Sequence, residues 1–164
     1  MVHWDGAQWS ISPGSFQGLP FGITTVSTND VWAVSTDYSS PTWHAYILHW
    51  DGTAWTLVST DDSKKLLGIT ATSASDVWAV GTDGVGTFVK HWDGTTWSIV
   101  APPNPNPPQG IFLDAVAIST NELWAVGRQN NDNDTLTARY AYDCLTPTLT
   151  PTVLWTVTAT RSPI

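Results

Sequence analysis

One polar stretch of the sequence carries alternating oxygen-bearing side chains that could bind a metal ion. Asn130, Asp132 and Asp134 occupy every second position, as the first ligands of an EF-hand Ca²⁺ loop do. Such a loop needs Gly at its sixth position and Glu at its twelfth, but these positions hold Thr135 and Ala141. The pattern therefore supports Ca²⁺ binding only weakly, and a solvated polar loop is the simpler interpretation.

A second group of side chains could bind an organic ligand. Tyr38, Trp43 and His44 lie close together in the sequence, and Trp43 is outside the repeated motifs that hold most of the 11 Trp residues. Aromatic rings of this kind stack on sugars or on protein side chains. The alternative is that this loop folds back onto its own sheet. We predict Tyr38, Trp43 and His44 as the ligand-binding residues.

The sequence gives no pattern for catalysis. A nucleophile with its base, a phosphate-binding loop and a Cys/His metal quartet are not found. A glycosidase needs two converging carboxylates, whereas every acidic residue except Glu122 is a short Asp in or near a predicted turn. His3, His49 and His91 recur at equivalent positions of separate repeats, too far apart to share one metal. We predict no catalytic residue and no required cofactor.

The composition limits the class of partner. The chain has 164 residues, with 6 Lys plus Arg against 14 Asp plus Glu and a net charge of -8. This balance argues against nucleic acid or an anionic membrane surface as a partner, and no apolar run is long enough for membrane insertion. Cys144 is the only cysteine, so an internal disulfide is excluded and its role is not indicated.

A short motif, His-Trp-Asp-Gly-x-x-Trp, organises the chain by occurring three times, at residues 3–9, 49–55 and 91–97. Asp-Gly between aromatic and β-branched residues predicts a hairpin, because Gly accepts positive φ without steric cost. A four-residue loop at 51–54 would place Trp50 opposite Trp55, whereas a two-residue turn would shift that pairing. The sequence leaves both open.

A second motif alternates with the first and sets the architecture. Asp-Val-Trp-Ala-Val begins at Asp30 and Asp76, and Glu-Leu-Trp-Ala-Val begins at Glu122. Together the motifs predict four short strands per unit, which is typical of a β-propeller blade. We expect an all-β, open or partial propeller of about three to three and a half repeats, with Trp32, Trp78 and the other repeated Trp residues in the core between blades. The predicted propeller segment is 1–144, with blades at 22–58, 68–100 and 113–143 and a partial hairpin at 2–12.

The last unit is predicted to be incomplete. Its fourth strand is replaced by a Thr/Pro-rich segment, 145–164, which favours an extended solvated backbone and is predicted as a linker or tail. An added edge strand at Val153–Val157 is the alternative. Because propellers usually have at least four blades, we expect an array that is open, a fragment, or completed by self-association with a second copy.

These motifs resemble the tandem propeller repeats of large secreted or surface proteins of bacteria. The likeness covers residues 1–143 and implies a propeller fold in an extracellular or cell-surface setting, without naming a ligand. WD40 repeats and the Asp-box of sialidase-like propellers are similar only in part, because here Trp-Asp lies in a turn without the WD40 Gly-His pair, and Asp93 and Gly94 are adjacent.

The expected function is that of a non-enzymatic binding or scaffold module for a glycan or protein ligand. Loop length varies only at 36–44, 60–66, 101–110 and 128–135, and in an up-and-down blade these loops emerge on one face, which we call the variable face. The alternative function is a fragment of a propeller-type extracellular glycoside hydrolase or sialidase-like enzyme.

Overall fold

The computed structural model describes residues 1–14, 18–38, 42–102, 109–129, 134–142 and 153–161. These residues form fourteen β-strands and no helix, which confirms the predicted all-β class. A helix able to cross a membrane is accordingly not found within the described ranges.

The strands form one hairpin and three four-stranded antiparallel sheets, each joined in simple up-and-down order. The hairpin consists of β1 (Val2–Trp4) and β2 (Trp9–Ile11). Blade 1 consists of β3 (Leu19–Ser27), β4 (Asp30–Asp37), β5 (His44–Trp50) and β6 (Trp55–Asp62). Blade 2 consists of β7 (Lys65–Ser73), β8 (Asp76–Thr82), β9 (Thr87–Trp92) and β10 (Trp97–Ile99). Blade 3 consists of β11 (Gly110–Ser119), β12 (Glu122–Gln129), β13 (Asp134–Tyr142) and β14 (Val153–Arg161).

Strand β14 corrects the prediction that the third unit lacks its fourth strand. It pairs antiparallel with β13 along its whole length, from Tyr142 opposite Val153 to Asp134 opposite Arg161. Six of its nine residues are β-branched or aromatic, and such residues favour an extended strand that pairs with an open sheet edge. The Thr/Pro content of 145–164 favoured a tail, and the structure instead supports the alternative interpretation, an edge strand that includes Val153–Val157. Cys144 lies outside the described residues.

The Asp-Gly motif forms the longer of the two predicted loops. Trp50 pairs directly with Trp55, which leaves residues 51–54 as a four-residue connection. One carboxylate oxygen of Asp51 accepts hydrogen bonds from the backbone N–H groups of Thr53 and Ala54, at 2.8 and 3.0 Å. Gly52 has a φ of 94°, which favours glycine. The repeated motif therefore forms a turn that fixes the register of the two strands on either side of it.

The first strands of the three blades, β3, β7 and β11, lie side by side along the inner edge of the array. A Cβ atom at Gly22 would lie 3.0 Å from the carbonyl oxygen of Leu67, and one at Gly68 would lie 2.7 Å from Cα of Asp114. Glycine at Gly22 and Gly68 thus lets the backbones of neighbouring blades approach closely.

The apolar core is divided between the two blade interfaces. Trp32 and Val34 of blade 1 pack against Val77 and Ala79 of blade 2. Trp78 and Val80 of blade 2 pack in the same way against blade 3, and the two Trp side chains are 3 % and 2 % exposed. This confirms the predicted burial of Trp32 and Trp78.

The prediction that all repeated Trp residues are core residues is wrong for Trp4, Trp9 and Trp124. These three side chains are exposed. Trp4 and Trp9 pair with each other in the hairpin, and Trp124 lies on the face of blade 3 that no described blade covers. Burial of a repeated Trp therefore depends on the neighbouring blade as well as on the motif.

Two polar contacts connect the blades beside this apolar core. The Thr36 hydroxyl donates to the carbonyl oxygen of Leu66 and accepts from the Leu66 N–H, at 3.1 and 3.2 Å. Lys90 of blade 2 is buried and its ammonium lies 2.8 Å from a carboxylate oxygen of Asp61 in blade 1. Buried Thr36 and Lys90 thus each have a partner from the adjacent blade, as burial of polar groups favours.

Candidate functional site

A cavity opens on the variable face, where the three blades meet. Its volume is about 530 Å³. Blade 1 contributes Trp43, from the connection before β5, and blade 2 contributes Lys65 and the β8–β9 connection. Blade 3 contributes the start of β11 and the end of β12. The lining residues are Trp43, Lys65, Thr82, Gly84, Val85, Gln109, Gly110, Ile111, Arg128 and Gln129.

Trp43 reaches from blade 1 onto blade 2. Its ring lies under the Lys65 ammonium, with 3.5 Å between Nζ and the ring centroid. A Cβ atom at Gly84 would lie 3.4 Å from Cζ3 of Trp43, so the indole lies close to the β8–β9 connection. Trp43 therefore packs across the gap between two blades, rather than only on its own blade as the alternative interpretation of this loop supposed.

Tyr38 and His44 have different surroundings from Trp43. The Tyr38 ring lies 5.1 Å from the Lys65 ammonium, so Tyr38 and Trp43 share one cation. His44 instead places Nδ1 2.8 Å from a carboxylate oxygen of Asp62, and its ring stacks on Tyr46. The structure thus brings two of the three predicted residues to Lys65 and leaves His44 in a contact within blade 1.

Burial and charge change the proton affinity of groups around this cavity. Burial, and then the neighbouring charge of Arg128, lower the pKa of the Lys65 ammonium. Burial also raises the pKa of the Tyr38 hydroxyl. The cavity is therefore a partly desolvated site with two cationic residues in its wall, where electrostatic attraction to an anion is stronger than in bulk water.

The predicted Ca²⁺ ligands give no defined site. Asn130 and Asp132 lie outside the described residues, and Asp134 begins β13. No group of three or more His, Cys, Asp or Glu side chains with metal-binding geometry occurs in the part of the chain that the structure describes. Ca²⁺ binding stays a prediction.

A repeated polar arrangement occurs at the opposite ends of the blades. In blade 2, Oδ1 of Asp76 accepts a hydrogen bond from the Trp78 indole N–H at 2.9 Å and lies 2.7 Å from Nε2 of His91. The His91 ring stacks on Trp78 at 4.0 Å. The hydroxyl of Thr72 also donates to the Asp76 carboxylate. Together these contacts hold Trp78 in one orientation at the blade interface.

Blades 1 and 3 carry versions of the same arrangement. In blade 1, Asp30 lies 2.8 Å from Nε2 of His49. In blade 3, Glu122 replaces the aspartate, accepts from the Trp124 indole at 3.0 Å, and pairs with Arg139 at 2.7 Å. Because it recurs in every blade, this arrangement has a structural role. The sequence analysis placed these aspartates in or near turns and did not predict that Asp30 contacts His49 or that Asp76 contacts His91 and Trp78.

Comparison with known proteins supports the fold alone. No family model and no curated protein matches the chain. It is similar to a solved β-propeller structure titled "YCF48 bound to D1 peptide", with a TM-score of 0.53 and 17 % identity. The chain adopts a β-propeller fold. The match covers 79 % of this chain and 43 % of that chain, so this propeller segment spans less than half the length of its structural neighbour.

Lys65, Arg128 and Gln129 lie in the predicted variable loops 60–66 and 128–135 but were not named as candidate binding residues. One signal was present: the chain has only 6 Lys plus Arg, and three of them, Lys64, Lys65 and Arg128, occur in the loops of the variable face. Their convergence depends on how blade 2 packs against blade 3, which the repeat pattern does not specify.

Proposed function

We propose that the chain is a non-enzymatic β-propeller module that binds a protein or glycan ligand on its variable face, in an extracellular or cell-surface setting. The observation that carries this proposal is the cavity of about 530 Å³, whose walls come from loops and strand ends of all three blades. Binding sites concentrate in loops that a rigid scaffold holds in place. The extracellular setting rests on the resemblance of the repeats to those of secreted and surface propellers.

A protein ligand is favoured over a glycan by two observations. The similar propeller structure is described as bound to a peptide. In addition, the cavity combines an aromatic ring with a cation, a pairing that suits an amphipathic peptide segment. Trp43 is the proposed anchor, because aromatic residues in clefts supply a large share of binding energy at interfaces.

The test is a screen of the purified chain against a random peptide library and a glycan array, followed by affinity measurement. We expect Trp43→Ala to weaken the selected ligand by at least about tenfold. Trp9→Ala is the matched control, because Trp9 is an exposed indole on the N-terminal hairpin. Thermal melting of both variants shows whether they are folded. A selected ligand that binds Trp43→Ala as well as the wild-type chain would contradict the proposed site.

The enzymatic alternative is tested with the same glycans. A propeller glycosidase fragment would release reducing ends from a bound glycan, whereas a binding module leaves it intact. We expect binding without turnover over a long incubation. Release of reducing sugar by the native chain, but not by a heat-denatured sample, would favour the enzymatic alternative.

A further inference from the structure

The cavity on the variable face concentrates positive charge in an acidic chain. The whole sequence has a net charge of -8 and only 6 Lys plus Arg. Two of these six, Lys65 of blade 2 and Arg128 of blade 3, line the same cavity, and none of its described lining residues is acidic. Like charges brought together in a partly desolvated site favour an anionic ligand there.

The Lys65 ammonium is positioned by aromatic rings. It lies 3.5 Å from the ring centroid of Trp43 and 5.1 Å from that of Tyr38. Cation–π contacts hold the charge in place without using up its N–H donors on a carboxylate. Lys65 is thus pre-arranged to meet an anion that enters the cavity.

Gln129 supplies a second, independent indication of a ligand. Its side chain is 6 % exposed and lines the cavity. Its Oε1 is buried and has no hydrogen-bond partner among the described atoms. A buried acceptor left without a donor is costly, so a ligand N–H at this position would stabilise the complex. A carboxylate beside an amide N–H is the chemistry of a peptide.

We infer that the cavity binds a carboxylate-bearing peptide segment, an inference that rests on the proposed function. The carboxylate lies between Lys65 and Arg128, a ligand backbone N–H donates to Gln129, and an apolar side chain of the ligand packs against Trp43. Charge-assisted hydrogen bonds to two cations provide the specificity for the anion. The carboxylate comes either from the peptide C-terminus or from an Asp or Glu side chain.

The experiment uses the full chain and three synthetic peptides of otherwise identical sequence. The first has an internal Glu and an amidated C-terminus, the second has Gln in its place and a free C-terminus, and the third has Gln and an amide. Binding is followed by the shift of the Trp43 indole N–H resonance during titration to millimolar peptide. We expect saturable shifts with at least one carboxylate peptide and none with the neutral one. The peptide that binds identifies the source of the carboxylate.

Substitutions in the wall then test the two cations. Lys65→Gln and Arg128→Gln should each weaken binding at least about tenfold. Lys64→Gln is the matched control: it removes the same charge from the adjacent position, where the ammonium faces Phe88 and does not line the cavity. Should Lys65→Gln fail to fold, Arg128→Gln and the loss of affinity with added salt remain as readouts.

Several results would overturn the inference. These are equal binding of the neutral peptide, an equal loss with Lys64→Gln, or no saturable shift with any peptide. Binding of an acidic oligosaccharide such as oligogalacturonate in place of the peptides would also overturn it. That last result would leave the proposed binding function standing, whereas loss of all ligands from the variable face would remove both.

Discussion

Blades 2 and 3 carry the same Trp motif in two different environments. Trp78 of blade 2 is 2 % exposed, and its ring contacts Tyr140 of blade 3 at 4.8 Å. Trp124 of blade 3 is 40 % exposed, although its indole N–H is bonded to Glu122 much as that of Trp78 is bonded to Asp76. The hydrogen bond from the indole N–H to the carboxylate therefore forms whether or not a neighbouring blade covers the Trp side chain. Burial of that side chain does require a neighbouring blade. One motif can thus serve as core in one blade and as surface in the next.

The open face of blade 3 is apolar beyond Trp124. Val116, Ile118 and Val126 on the same blade are also exposed. Val126 corresponds in the repeat to Val80, which is fully buried against blade 3. Blade 1 differs again, because the N-terminal segment covers its outward face: Met1 packs on the cluster of Ala33, Leu48 and Trp55. The described array therefore has one capped end and one open end.

The largest expected effect is the loss of Trp78. Trp78→Ala should lower the free energy of unfolding by about 3–5 kcal/mol, because it leaves a cavity between two blades. Trp124→Ala should cost about 1 kcal/mol or less, because water already reaches that side chain. Urea unfolding of both variants measures the difference. Equal losses of unfolding free energy in the two variants would mean that the stability contributed by the motif Trp does not depend on coverage by the next blade.

The next effect concerns the carboxylates. Asp76→Ala removes the acceptor of the buried Trp78 indole N–H and the partner of His91, so we expect a loss of about 1–3 kcal/mol. Glu122→Ala should cost less, because water can replace Glu122 at the exposed Trp124. Asp76→Asn, which keeps one acceptor oxygen, is the conservative control and should recover part of the loss. A larger loss for Glu122→Ala than for Asp76→Ala would contradict this order.

Local rules predicted the blades well, because each repeat encodes its own strands. The Asp-Gly turns and alternating apolar residues gave the strands of blades 1 and 2 and the burial of Trp32 and Trp78. Strand β14 was predicted only as the alternative, an edge strand at Val153–Val157, because it is separated from β13 by residues 143–152 instead of a four-residue turn. The convergence of Lys65 with Arg128 was not predicted either, because it depends on the packing angle between blades.

A smaller effect is expected on the molecular mass of the protein in solution. Self-association with a second copy was predicted from the incomplete set of blades, and we propose that the open face of blade 3 takes part in it. Wild-type chain should then show a concentration-dependent increase in mass by light scattering. Trp124→Ser should reduce that increase, whereas Trp9→Ser, at an exposed Trp of the hairpin, should change it little. A wild-type chain that stays monomeric at high concentration would exclude this contact.

The smallest expected effect concerns the Asp51 turn of blade 1, which should form whether or not another blade covers the open face of blade 3. Asp51 accepts hydrogen bonds from the Thr53 side chain and from the backbone N–H groups of Ala54 and Thr53, which lower the pKa of its carboxyl from 3.8 to about 2. A folded-state pKa below the unfolded one adds stability above about pH 4. That contribution is lost as the pH falls from about 4 to about 2.

The turn is solvent-exposed and belongs to blade 1, so its titration should not depend on the open face of blade 3. We expect the Asp51 carboxyl resonance to titrate with a midpoint near 2 both in the wild-type chain and in Trp124→Ala. Asp51→Asn keeps an acceptor oxygen and cannot ionise, so the stability difference between it and wild type should shrink as the pH falls from about 4 to about 2. A midpoint near 3.8 in the folded chain would mean that the carboxylate does not hold this turn, and a midpoint that moves in Trp124→Ala would couple the turn to the open blade face.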